Sequence, residues 1–428
     1  MSHKKILHLA VLISFVFSLM IFTPAEQGTA DQASPQLVSI PYMGPTVQIS
    51  PTQTTDADRY LPSVAYNSQR KQYLVVWHNQ WSGSRDIYGQ RLKGNGQLVG
   101  PWFSISSGPN DRMFPVVVYN AIDDEYLVVF MYDVSGDGSR HDIMGQRVRW
   151  DGVLLGSSFI INTSPDIDHY SPRVVWKAAY DEYLVIWGTK VATTGVPNGI
   201  GIRLIDNLGG SRYGTIITSA DQPTDPDLIW EPAFDRYLVV WTYTNASGYT
   251  AIRGDLRNGD ANRVGGGPFV IYSSTTEDAL HPRAASNGIF FLCVYEYEYS
   301  VSDHDIKGAW ITSDANVIVP ISLVDSGANE TWPAVASNPG QHEVMVLFQR
   351  LSGAREEAWL HPISNTIPAI DVSVCKNVNW NCISPAGVSG GSGYELVYSA
   401  RFTLVGGTKY YVYGRLLTNP LFIPVLRK

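Results

Sequence analysis

The residues through which this chain can act chemically are carboxylates, histidines, arginines and aromatics that interrupt an otherwise regular pattern. They are Trp81, Tyr132, His169, Tyr170, Tyr243, His281, Glu296, Glu298, Trp332 and Arg350. Aromatic rings stack on the apolar faces of sugars while charged groups bond hydroxyls or uronates, so the set suits a glycan ligand. It equally suits a protein ligand, because Tyr, Trp and Arg dominate interface energetics. Two catalytic readings are open beside these. Glu296 or Glu298 with Asp133, Asp168 or Asp278 would make the carboxylate pair of a glycoside hydrolase. His169 or His281, with a tyrosine and an arginine, would abstract a proton beside a uronate as a polysaccharide lyase does.

No complete catalytic signature supports either enzyme. Gly387-Val388-Ser389-Gly390-Gly391 has the spacing of a nucleophile elbow, but no helical pattern follows it. His342-Glu343 lacks the second histidine of a metalloprotease. No cysteine or histidine spacing suits zinc, and no cofactor is expected. The one alternative is Ca²⁺ in the acidic, Gly-rich stretch of Asp133, Asp137 and Asp142, although a solvated loop explains that composition as well.

The elements that must position these residues are repeats. Tyr73-Leu74-Val75-Val76-Trp77 returns as Tyr126-Leu127-Val128-Val129-Phe130, Tyr183-Leu184-Val185-Ile186-Trp187 and Tyr237-Leu238-Val239-Val240-Trp241. A proline stands 15 residues before each final aromatic, and the frame extends to Pro333 with Phe348. In a form shortened to 13 residues it also fits Pro282 with Tyr295 and Pro385 with Tyr398. Successive prolines lie 51 to 57 residues apart, which makes seven units starting near 62, 115, 172, 226, 282, 333 and 385. Each unit reads as four short strands, with a β-branched second strand and a glycine in most third strands, and nothing has sustained helical periodicity. The prediction is an all-β, seven-bladed β-propeller of four-stranded blades over residues 45–417. The last unit lacks a fourth strand, while Val47-Gln48-Ile49 precedes the first proline without a unit of its own. That N-terminal strand is expected to close the ring and remove an open edge.

A polar side chain lies four residues before each proline: Asp58, Asp111, Asp168, Gln222, Asp278, Asn329 and Asn381. As a ring at the channel mouth these would bind a cation, an amine or sugar hydroxyls. As capping residues they would bond backbone N–H groups, the stronger expectation for a side chain found in every blade.

The repeat, Pro-x-Val-Ala-Tyr (62–66), Tyr-Leu-Val-Val-Trp (73–77) and Asp-Ile-Tyr-Gly-Gln-Arg-Leu (86–92), resembles tandem repeats of secreted bacterial β-propeller proteins, mostly uncharacterised. The resemblance covers roughly residues 45–417 and implies the fold; it brings no catalytic motif.

Lys4 and Lys5 precede an apolar run over residues 6–22, followed by small residues up to Ala30. This is the pattern of a signal peptide over residues 1–30, the alternative being an uncleaved membrane anchor. Residues 31–44 read as a linker and 418–428 as a C-terminal tail. A formal net charge of −8 argues against nucleic acid as a partner. Cys293 sits in an apolar run, whereas Cys375 and Cys382 can close a small disulfide loop. Together these point to a secreted or cell-surface monomer that binds a glycan or protein at the loop-rich face of the propeller. The alternative is a carbohydrate-active enzyme using the same face.

Overall fold

In the computed structural model six repeats each fold into a four-stranded antiparallel sheet, the seventh is completed by N-terminal strands, and the seven sheets form the ring of a β-propeller. The structure describes residues 37–424, apart from 52–60, 81–83, 219–221, 319, 365–368, 376–380, 391–392 and 405–406. The signal segment, Asp58 and Trp81 lie outside the described residues. Blade 3 shows the plan: Ile167–Lys177, Glu182–Val191, Pro197–Asp206 and Ser211–Thr218 lie side by side in chain order. The first strand of each blade faces the central channel.

The second strands are apolar on both faces because both faces are covered. Leu74, Val75, Val76 and Trp77 of blade 1, and their counterparts up to Trp241 in blade 4, are almost fully buried. Apolar clusters fill each seam between neighbouring blades, such as Leu127, Val129, Tyr183 and Trp187 between blades 2 and 3. Each fully buried side chain of this kind contributes roughly 1.5–3 kcal/mol, so the seams hold the ring together. The third-strand glycines are explained by close approach. A Cβ on Gly145 would lie 2.6 Å from the Phe159 ring, and one on Gly201 would lie 2.2 Å from Trp187.

Blade 7 is completed by the other end of the chain. Val47 and Gln48 pair with Gly414 and Tyr413 of the strand Gly407–Pro424. Gly44 N–H donates to Leu416 O and Ile49 N–H to Val412 O, both at 2.8 Å. The stretch expected as a linker contains a further strand, Leu37–Met43, which lies beside Gly407–Pro424. The strand Gly407–Pro424 continues without a break through position 417 into the stretch expected as a tail. Cys375 and Cys382 are disulfide-bonded, and Cys293 is buried in the seam of blades 4 and 5. No helix among the described residues is long and apolar enough to cross a membrane.

Candidate functional site

The channel encloses a cavity of about 1220 Å³, and its wall is built by one device repeated around the ring. On the first strands of blades 2 to 7, pairing with the second strand breaks off around the repeat proline, as between Leu280 and Arg283 or between Thr331 and Ala334. Proline has no N–H to give the ladder, so the strand bulges there. The residue before the proline takes up the distortion. Phe114, Ser171, Asp225, His281, Trp332 and Ser384 all adopt positive φ, between 46° and 54°. Non-glycine residues pay roughly 1–3 kcal/mol each for such a conformation, and here it recurs at one position of six blades. All six line the channel, together with residues just after the prolines such as Arg173, Asp227 and Arg283.

Their side chains form one connected group across blades 3 to 6. His281 Nδ1 donates to Asp225 Oδ2 at 2.8 Å, and Arg283 Nη1 lies 3.2 Å from Asp225 Oδ1. Burial disfavours the Asp225 carboxylate, but Arg283, His281 and Arg173 outweigh it and hold its pKa well below the usual range. Arg173 Nε bonds Asp227 Oδ1 at 3.0 Å, while Asp227 Oδ2 accepts the Ala284 N–H at 2.9 Å and so ties blade 4 to blade 5. Trp332 stacks on His281, with ring centroids 3.8 Å apart and planes 22° from parallel, and 39% of its surface is exposed. His78 enters the lining from the loop end of blade 1, and burial lowers its pKa to about 4, so its imidazole is neutral.

Of the residues picked out by type, Tyr170, His281 and Trp332 lie on this wall. The others among the described residues are engaged between or behind the blades. His169 is buried, donating from Nδ1 to His141 O and accepting at Nε2 from Asn162; burial lowers its pKa. Tyr132 lies beneath the Arg112 guanidinium at 4.9 Å and Tyr243 beneath Arg253 at 4.1 Å. Arg350 bonds Glu330 and Asp371 and lies 4.5 Å from the Trp359 ring. Glu298 is half-buried, opposite Asp278 in the sheet. Glu296 is buried; it takes a bond from His304 and accepts the Trp332 N–H at 2.9 Å. It therefore supports the strained Trp332 backbone from the neighbouring blade and does not face the channel. Asp133 accepts the N–H groups of Gly136 and Gly138 within its own turn.

The polar ring four residues before the prolines stands between the blades, and none of its described members lines the channel. Asp111, Asp168, Asp278 and Asn381 accept the backbone N–H groups of Arg85, His141, Thr250 and Glu356, each at the start of the preceding blade's third strand. Gln222 is exposed and Asn329 half-buried. Asp168 also takes His141 Nδ1 at 2.8 Å and Lys190 Nζ at 3.0 Å. Burial raises its pKa, but these bonds outweigh burial and keep it low. Asp168→Ala strands a buried N–H and an imidazole, so a loss of about 3–5 kcal/mol is expected in urea unfolding.

Asp225, Asp227, Arg173, Arg283 and Phe114 were not singled out by type and spacing. A signal for two of them, Phe114 and Asp225, was present: the residue before a fixed proline varies freely from unit to unit, as these two and His281 illustrate.

No protein-family model matches the chain, and no curated protein does. Among solved structures, a protein of unknown function from Dyadobacter fermentans is similar at 10% identity, with a TM-score of 0.53, over 90% of this chain and 100% of that one. An α-L-arabinanase of Penicillium chrysogenum, complexed with arabinobiose, shares 12% identity over 89% of this chain and 98% of its own, with a TM-score of 0.48. A subtype N11 neuraminidase-like protein of a flat-faced bat influenza virus shares 10% identity over 92% and 99%, with a TM-score of 0.44. At such identities the first likeness is one of fold alone.

Proposed function

We propose that the protein is an exported binding module that recognises a glycan in the channel, on the ring of pre-proline residues. The observation that carries this reading is the pairing of Trp332 with His281 beside Asp225. An indole with one face backed by an imidazole and a large exposed area offers an apolar platform for a sugar ring. The adjoining carboxylate and guanidinium groups offer acceptors and donors for its hydroxyls. The blades hold the backbone of this ring fixed while its side chains differ, as suits selective recognition. Export is supported by the charged-then-apolar N-terminus and by the Cys375–Cys382 disulfide.

The test is titration calorimetry of the purified protein against a panel of plant, algal and bacterial oligosaccharides. Trp332→Ala is expected to weaken binding by roughly 30-fold or more, the effect of losing a hot-spot aromatic, without a change in the far-ultraviolet spectrum. Unchanged affinity would remove the site.

One observation favours a second reading, in which the same site turns its ligand over. With Nδ1 donating to Asp225, the neutral form of His281 presents Nε2 as an acceptor, the arrangement of a general base. New reducing ends with ultraviolet absorbance would mean a lyase, and new ends without it a hydrolase. Either activity should vanish in His281→Ala.

A further inference from the structure

We infer that the ligand of this channel is a neutral saccharide, and that acidic sugars such as uronates or sulfated chains are selected against. The inference rests on the reading that the channel binds a glycan, and adds the class of glycan from the charge balance of the wall.

Two guanidinium groups and two carboxylates stand together on the wall, and each is already paired. Arg173 pairs with Asp227 and Arg283 with Asp225. Both arginines also donate to a neighbouring carbonyl, Arg173 to Pro172 O at 2.9 Å and Arg283 to Pro282 O at 2.7 Å. Asp225 is held ionised, and Arg283 is held charged by Asp225 and Asp227 against the cost of burial. Further round the ring Arg85 pairs with Asp111, and His78 is neutral. The charges of the two pairs on the wall therefore cancel, and Arg85, the third guanidinium of the lining, is paired with Asp111 behind it, so each guanidinium that an acid would meet already has a carboxylate. The whole chain repels polyanions besides, with a formal net charge of −8.

A ligand carboxylate could reach Arg283 or Arg173 only by displacing Asp225 or Asp227. That would leave a largely buried carboxylate in the wall without its partner, which is costly. A ligand cation meets the mirror-image problem. A sugar hydroxyl does not, because it donates and accepts at once. It can give its proton to a free lone pair of Asp225 and take a guanidinium N–H while both ion pairs stay intact. The ring carbons then lie on Trp332. At about 1220 Å³ the channel exceeds the roughly 300–1000 Å³ of a site for one drug-sized molecule, so it has room for a short oligosaccharide.

The experiment uses the whole exported chain and matched pairs of oligosaccharides: galacto-oligosaccharides against oligogalacturonates of equal length, and neutral gluco-, manno- and xylo-oligomers against their uronate counterparts. Affinity is measured by calorimetry at about 20 mM and about 0.5 M NaCl, on either side of effective screening. At least one neutral member is expected to bind about tenfold more tightly than its acidic partner, with less than about a twofold change across the salt range. Tighter binding of the acidic partner, weakening as salt rises, would overturn the inference and leave the glycan reading standing. Absence of binding by both classes would overturn the glycan reading and this inference with it. Asp225→Asn supplies an internal check: it keeps an acceptor for His281 but leaves one positive charge over. Uronate affinity is expected to rise in this variant and to become salt-dependent. A variant that folds and still shows no gain for uronates would also count against the charge argument.

Discussion

Replacing Glu395 by leucine is expected to stabilise the ring, by an amount that grows as pH rises. The position is the second of the Tyr-Leu-Val-Val-Trp strand. In the other blades it is held by Leu74, Leu127, Leu184, Leu238, Leu292 and Met345, all at most 1% exposed. Glu395 is equally buried, at 1%, where the N-terminal strand closes blade 7. Its Oε2 has no hydrogen-bond partner among the described residues and borders a cavity of about 150 Å³ lined by Gly44, Val47, Gly96 and Arg415. Two polar neighbours bring no relief. Arg415 donates to the carbonyls of Gly44 and Val374, and Tyr73, across the seam, has its own pKa raised by burial and by Glu395. Burial alone lifts the Glu395 pKa from 4.5 to about 8. The folded state thus keeps a proton that the unfolded chain releases above its ordinary pKa. The associated stability is complete below about pH 4.5, declines as pH rises, and is gone above about pH 8. The decline is about 1.4 kcal/mol per pH unit, on the order of 4 kcal/mol over the window. Urea unfolding of the natural chain, Glu395→Leu and Glu395→Gln at mildly acidic and mildly alkaline pH isolates this effect, because every other titrating group cancels in the differences. Both variants should gain on the natural chain as pH rises. Parallel pH profiles would mean that Glu395 is solvated through the adjoining cavity and carries no such burden.

The same comparison of units shows how far the sequence could be read. Prolines at near-constant spacing and the buried Tyr-Leu-Val-Val-Trp strands define the blades because both obey local rules: a proline ends ladder pairing, and alternating burial on two faces demands apolar residues throughout. The closing strand was legible for the same reason, since Val47-Gln48-Ile49 has strand chemistry and blade 7 lacked a partner for Gly414. The channel wall was not. Whether a side chain faces the channel depends on the positive-φ bulge before each proline, and φ leaves no trace in hydrophobic periodicity. Residues that break the repeat also proved ambiguous. His281 and Trp332 break it and face the channel, whereas Tyr243 and Arg350 break it to fill gaps beside Arg253 and Trp359. A cross-blade contact such as Glu296 with the Trp332 N–H joins residues 36 apart, a pairing that no spacing rule reveals.

Trp241→Ala is expected to cost about 3–5 kcal/mol, whereas Trp241→Phe is expected to cost less than about 1.5 kcal/mol. Trp241 lies in the second strand of blade 4, is fully buried, and packs with Leu184, Ile202 and Val239 in the seam with blade 3. Alanine leaves a cavity that cannot collapse, because rigid sheets wall it on both sides. Phenylalanine is different for two reasons. The equivalent position is Phe130 in blade 2 and Phe348 in blade 6, so the blade geometry accommodates a single ring. In addition, the Trp241 Nε1–H has no hydrogen-bond partner among the described residues. A buried unpaired donor costs roughly 1–3 kcal/mol, and phenylalanine removes it, offsetting part of the lost apolar contact. Guanidinium unfolding of the two variants decides the matter through the gap between them. A wide gap means that the seam is held by ring volume and close packing. Equal losses would mean that the indole nitrogen is paired after all, and that the tryptophan is kept for its hydrogen bond and not for its bulk.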